Sequence, residues 1–128
     1  MVKRIFIVDD EPGVVLSVRR GLETLDKDLI VVPFRSGEKF FEFINENNKP
    51  DLILLDIMMP DMSGWEILKR IRSNPYLEKI PVIFLTARKD YVAKNAGEFL
   101  AEDYIEKPFR IPELKERIDK ILNANPKT

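Results

Sequence analysis

Short apolar runs alternate with stretches of helical spacing along most of this chain. Ile5 to Val8 is a compact, β-branched-rich run that stops at Asp9 and Asp10, the pattern of a strand buried on both faces. Val14, Val15, Val18, Leu22 and Leu25 follow at spacings of three and four, the apolar stripe of a helix ending near Asp26. Ile30 to Phe34 predicts a second strand, and Pro33 puts it at a sheet edge, because proline lacks the N–H a central ladder needs. Ser36 can cap a helix whose inner face carries Phe40, Phe43 and Ile44, broken by Asn45 to Pro50. Leu52 to Leu55 is the clearest buried strand and stops at Asp56. Pro60 and Gly64 make Ile57 to Gly64 a loop, after which Trp65, Leu68 and Ile71 mark a helix. Val82 to Leu85 predicts the fourth strand, ending at Thr86. A weaker helical pattern through Val92, Ala96, Phe99 and Leu100 leads to a fifth strand at Tyr104 and Ile105, ending at Lys107. An amphipathic helix through Leu114, Ile118, Ile121 and Leu122 closes the pattern, with Pro112 in its first turn.

Five strands thus alternate with five helices. Strands separated by helices of this length cannot form hairpins, so they should lie parallel, with right-handed crossovers and helices on both faces of one sheet. The expectation is a doubly wound α/β domain over residues 1–122, with 123–128 a frayed polar tail.

A length of 128 residues suits one such domain. The net charge of -1 lacks the basic excess of a phosphate-backbone binder, so nucleic-acid binding by this chain alone is not expected. The absence of Cys and His excludes disulfides, the usual zinc sites and a Ser/His triad. Met1 to Val8 is too short for a secretory signal, and no apolar run nears the roughly 20 residues that span a bilayer, so membrane insertion is not expected and a cytoplasmic location is. Chemistry must come from carboxylates, Lys, Thr and backbone.

Those residues stand at the ends of the runs: Asp9 and Asp10, Asp56, Thr86 and Lys107. Any one of them could simply begin a solvated loop. Together they mark carboxyl ends of parallel strands, where open α/β sheets form their ligand crevice. Three carboxylates in one place stay ionised only around a cation, and an oxygen-only set on an open loop suits Mg²⁺. Asp9, Asp10 and Asp56 therefore read as a magnesium site, with Lys107 and Thr86 expected on the far side of Asp56 from the metal. Metal, ammonium and hydroxyl could neutralise a phosphoryl group in transfer, and a carboxylate can be the nucleophile. Asp56, after the central strand, is the candidate acceptor.

These residues, with Val8-Asp9-Asp10-Glu11, Asp56-Ile57-Met58-Met59-Pro60, Leu85-Thr86-Ala87 and Lys107-Pro108-Phe109, resemble the receiver domains of two-component response regulators. The resemblance covers nearly the whole chain. It implies the strand order 2-1-3-4-5, phosphorylation of Asp56, direct Mg²⁺ ligation by Asp10, help from Asp9 through water, and the Met58 carbonyl as a third protein ligand. It implies pairing of Lys107 and Thr86 with the phosphoryl oxygens, a small residue at Ala87 to admit the incoming group, and a cis Lys107-Pro108 peptide, which only an X–Pro bond makes cheap. Thr86 and Tyr104 would form the switch, and the fourth helix, fifth strand and fifth helix the output face toward a downstream protein. A separate histidine kinase is the implied donor, since the chain has no His.

The sequence departs from the family at Leu100-Ala101, where receivers commonly carry Gly-Ala, which alters the expected end of the fourth helix. Bulky Met58 and Arg88 are expected to slow loss of the phosphoryl group. A short polar tail directly after the last helix favours a free-standing regulator. Other readings are a pseudo-receiver that binds partners without being phosphorylated, a flavodoxin-like carrier and an aspartate-nucleophile phosphatase. Against the carrier stands the acidic loop Asp9 to Gly13; against the phosphatase stands Met58, where that motif needs a second Asp.

Overall fold

The computed structural model describes residues 1–87 and 101–124. Within them lie β1 (Lys3–Val8), α1 (Pro12–Leu25), β2 (Leu29–Phe34), α2 (Gly37–Phe43), β3 (Leu52–Asp56), α3 (Gly64–Ser73), β4 (Val82–Ala87), β5 (Asp103–Lys107) and α4 (Ile111–Ala124). The five strands form one sheet in the order β2-β1-β3-β4-β5, every pairing parallel, as expected. Among the described residues there are four helices. The remaining predicted helix, with Arg88, Val92, Ala96, Gly97, Phe99 and Leu100, falls in 88–100, outside the described residues. The last helix continues through Asn123 and Ala124, two residues into the expected tail.

The near-continuous apolar strands follow from having both faces covered. Ile5, Ile7, Leu52, Leu54, Ile83 and Leu85 bury on one face with Val18 and Leu22 of α1 and Leu114 and Ile118 of α4. Phe6, Val8, Ile53, Leu55, Val82 and Phe84 bury on the other with Phe40 of α2 and Ile67, Leu68 and Ile71 of α3. Ser36 caps α2 by accepting from the Lys39 N–H at 3.1 Å. Ser63, which the apolar pattern does not reveal, caps α3 by accepting from the Glu66 N–H at 3.3 Å.

Two predicted core positions differ. Leu25 is 53% exposed because it ends α1, one turn past Leu22, where the chain turns at Asp26. Phe43, the last residue of the short α2, is 39% exposed, with its ring against Phe6 at 5.8 Å and Phe34 at 5.4 Å.

At the β2 edge, the outward N–H of Leu29 donates to the Asp26 carbonyl at 3.2 Å, and that of Val31 to Glu23 Oε2 on α1 at 2.9 Å. Pro33, next in that outward series, has no N–H to offer.

Candidate functional site

Parallel pairing brings the ends of β1, β3, β4 and β5 to one edge of the sheet, so residues far apart in sequence meet there. Asp56 is the last residue of β3, Thr86 and Ala87 end β4, Lys107 ends β5, and Asp9 directly follows β1. Asp9 is fully buried, Asp56 is 5% exposed and Thr86 1%. Burial of three polar groups in so small a volume is costly unless each finds a partner.

Lys107 is the common partner. Its Nζ donates to Asp9 Oδ2 at 2.8 Å and to Glu11 Oε1 at 2.9 Å, and lies 3.4 Å from Asp56 Oδ1. The ammonium therefore sits among the acids, whereas the sequence reading put it across Asp56 from them. The cause is electrostatic: one side oxygen each from Asp9, Glu11 and Asp56 lies within 4.8 Å of the others, and the Lys107 ammonium is drawn between them. Glu11, part of the acidic motif but given no role by spacing, joins this cluster. Asp10 is half-buried and its carboxylate stands outside the group of three, with its carbonyl accepting from Arg35 Nε at 3.3 Å.

The field at this edge is unbalanced. Burial pushes the Asp56 carboxyl up to about 6, with the charges of Asp9 and Asp10 adding to it and Lys107 opposing. Burial also raises Asp9, against hydrogen bonds from Lys107 and the Glu11 N–H. Burial alone would lower Lys107, but its bonds to Asp9 and Glu11 outweigh that and hold it above the usual lysine value. Among the described residues one ammonium faces three carboxylates, and a divalent cation would offset the excess: two buried Asp oxygens, with Asp10 close enough to be felt by Asp56, fit a hard, oxygen-seeking ion such as Mg²⁺.

Thr86 Oγ1 is buried without a hydrogen-bond partner, the one such side-chain atom among the described residues. A hydroxyl in that state has a donor ready for a ligand oxygen. Ala87 beside it is small and exposed. Tyr104 is half-buried, packed against the core face that holds Phe84 and Trp65, and Met58 is 66% exposed in the loop after Asp56. That loop returns at Gly64, whose N–H donates to the Ile57 carbonyl at 2.8 Å. A Cβ on Gly64 would lie 2.5 Å from the Asp56 carbonyl oxygen and 2.7 Å from Ile57 Cα, so only glycine allows α3 to begin against the backbone of Asp56. The Lys107-Pro108 peptide is cis. No helix of the described residues is long and apolar enough to cross a membrane.

The family model of the response regulator receiver domain matches residues 5–119. The transcriptional regulatory protein PhoP of Bacillus subtilis, named for alkaline phosphatase synthesis, is 37% identical over 98% of this chain and 50% of its own length. A response-regulator structure from Chloroflexus aurantiacus superposes with a TM-score of 0.86 at 33% identity, covering 96% of this chain and 99% of that one. The Mn²⁺-bound form of response regulator Rcp1 superposes with a TM-score of 0.76 at 30% identity, covering 94% and 92%. The chain spans 25% to 58% of the length of the first curated relatives it matches.

Proposed function

We propose that this chain, which belongs to the response regulator receiver family, accepts a phosphoryl group on Asp56 and passes that state to a partner as a signal. The observation that carries the reading is the setting of Asp56: a buried carboxylate at a strand end, 3.4 Å from an ammonium, beside a cluster that fits a divalent cation and a threonine hydroxyl without a partner.

In this reading an ionised Asp56 oxygen attacks the phosphorus of a phosphohistidine on a histidine kinase, or of a small donor such as acetyl phosphate. The new O–P bond forms as the P–N or P–O bond breaks, and the leaving imidazole or acetate departs with the electron pair. With a carboxyl titrating near 6, Asp56 is mostly ionised at neutral pH. Asp9, Asp10 and the Met58 carbonyl would hold Mg²⁺, which supplies positive charge to the phosphoryl oxygens when bound. The family relative Rcp1, solved with Mn²⁺, supports a divalent ion here. Lys107, already 3.4 Å from Asp56, turns toward the phosphoryl oxygens, and Thr86 donates its free hydroxyl to one of them. Closure of Thr86, with Tyr104 following, biases the surface of β5 and α4 toward its signalling form. A groove of about 500 Å³ between α1 and the loop after β5, walled by Val14, Val18, Phe109 and Ile111 with Lys107 at its inner end, offers the donor protein an approach. The work is done in the cytoplasm, where two-component kinases present their phosphohistidine.

Incubation with acetyl phosphate and Mg²⁺ tests this. Intact mass should show one added phosphoryl group, lost in base, on wild type and none on Asp56→Asn. Equal labelling of the variant, or none of wild type, rejects the acceptor and leaves an interaction-only protein. Met58→Asn should change the lifetime of the labelled state if the exposed Met58 shields it from water.

A further inference from the structure

Glu11 occupies the N-cap position of α1, with extended backbone angles of φ -87° and ψ 110°, yet its side chain caps nothing. An acidic side chain elsewhere would not normally be needed there: a capping residue usually gives its side-chain oxygen to the first free N–H groups of its own helix. Here the first turn rests on Pro12, which has no N–H to satisfy, and on the Glu11 carbonyl, which accepts from Val14 and Val15. The carboxylate is left for another use, and it accepts from Lys107 Nζ at 2.9 Å.

The ammonium consequently lies nearer to the two acids that follow β1 than to the acceptor. Its two tethers differ in kind. Asp9 is fully buried and fixed by the Glu11 N–H, which donates to its Oδ1 at 2.9 Å. The Glu11 side chain is 60% exposed, and among the described residues Lys107 is its one partner, so it can swing into water at the cost of that contact alone. Asp9 is therefore a rigid partner for Lys107, and Glu11 a releasable one.

We infer that Glu11 is a positioning residue that restrains Lys107 on the Asp9 side and competes with the incoming phosphoryl group for the same ammonium. This rests on the reading of Asp56 as acceptor. A phosphoryl group on Asp56 draws the Lys107 ammonium away from the exposed Glu11 carboxylate, and loss of the phosphoryl group lets it return. Because one partner is exposed, the restraint is weak and sets a rate, without blocking the reaction.

Two measurements separate the restraint from the acceptor reading. The first uses the metal-free protein with no donor: ¹⁵Nζ-detected NMR of the Lys107 ammonium. Its protons, held by two carboxylates, should exchange slowly with water in wild type and faster in Glu11→Gln. Asp61→Asn, which neutralises an exposed acid that makes no ion pair with Lys107, should leave the exchange unchanged. The second is the rate of phosphorylation by acetyl phosphate with Mg²⁺. Glu11→Gln should raise it about three- to tenfold, and Asp61→Asn less than about twofold, the part that charge alone contributes against an anionic donor. Unchanged Lys107 exchange in Glu11→Gln, a rate that does not rise, or an equal rise in Asp61→Asn would each overturn the restraint. If wild type takes no label at all, the acceptor reading fails, and the ammonium exchange still reports whether Glu11 holds Lys107.

Discussion

The two ends of the sheet handle buried charge in opposite ways. At the amino ends of the strands the partly buried charges of Arg72, Glu102 and Asp51 are matched to fixed partners. Arg72 of α3 donates to the carbonyls of Glu78 and Ile80 and, at 3.1 Å, to Glu102 Oε1, which also accepts from the Val82 N–H at 2.7 Å. Asp51 accepts from the Arg4 N–H at 2.8 Å and donates its own N–H to the Arg4 carbonyl at 2.8 Å. These bonds fasten the starts of β1, β4 and β5. At the carboxyl ends, among the described residues, three carboxylates share one ammonium and a buried hydroxyl has no partner. The same chain can evidently satisfy its polar groups elsewhere, so the imbalance at one end fits the proposed ligand site and costs the protein alone some stability.

That contrast can be broken from either end, with effects of opposite sign. Arg72→Ala should destabilise most, by about 2–3 kcal/mol in urea unfolding, because it takes a shared guanidinium from two carbonyls and leaves the Glu102 carboxylate, among the described residues, only the Val82 N–H. The rate of phosphorylation should change little. Asp56→Asn should act the other way and stabilise the metal-free protein at pH 7 by about 1–3 kcal/mol, since it removes an ion that the fold holds at a loss.

The pH dependence sharpens that second case. Asp56 titrates near 6 in the folded chain and near the ordinary carboxylate value of about 3.9 in the unfolded one. Between those values the folded state binds more protons. Metal-free stability should therefore fall as pH rises from about 4 to about 6 and stay lower above it, and the fall should flatten in Asp56→Asn. Saturating Mg²⁺ should oppose the fall. The smallest effect is expected for Thr86→Val: unchanged stability, or a gain of up to about 1 kcal/mol, from losing a hydroxyl that has no partner. Its phosphorylation should nonetheless slow by about tenfold or more, because a donor to the transferring group is gone. A destabilised Thr86→Val would show that the hydroxyl does have a partner.

Much of this was legible because the buried strands write themselves as apolar runs, and a run's end is visible where Asp9, Asp56, Thr86 and Lys107 interrupt it. The order of strands came from resemblance, since periodicity alone cannot say which strand lies beside which. The aim of a long side chain was not legible either. Lys107 reaches Asp9 across 98 positions of sequence, and its choice of Asp9 and Glu11 depends on the local sum of charges. Asp10 and Asp9 look equivalent as neighbours, yet Asp9 is fully buried and Asp10 half-exposed. Core residues also hid in the connection before β4. Leu77 and Ile80 are buried without helical or strand period, in turns that Asn74 holds by accepting from the N–H groups of Tyr76, Leu77 and Glu78.

The β2 edge has a consequence for how copies of this protein can meet. A strand arriving from another molecule would look for a row of free N–H donors, and finds one committed to a turn, one held by Glu23 and one replaced by a proline ring. The sheet cannot readily be extended on that side into a continuous intermolecular ribbon. High local concentration then carries little risk of seeding fibres from this edge, and any pairing of copies on this side must be made by side chains.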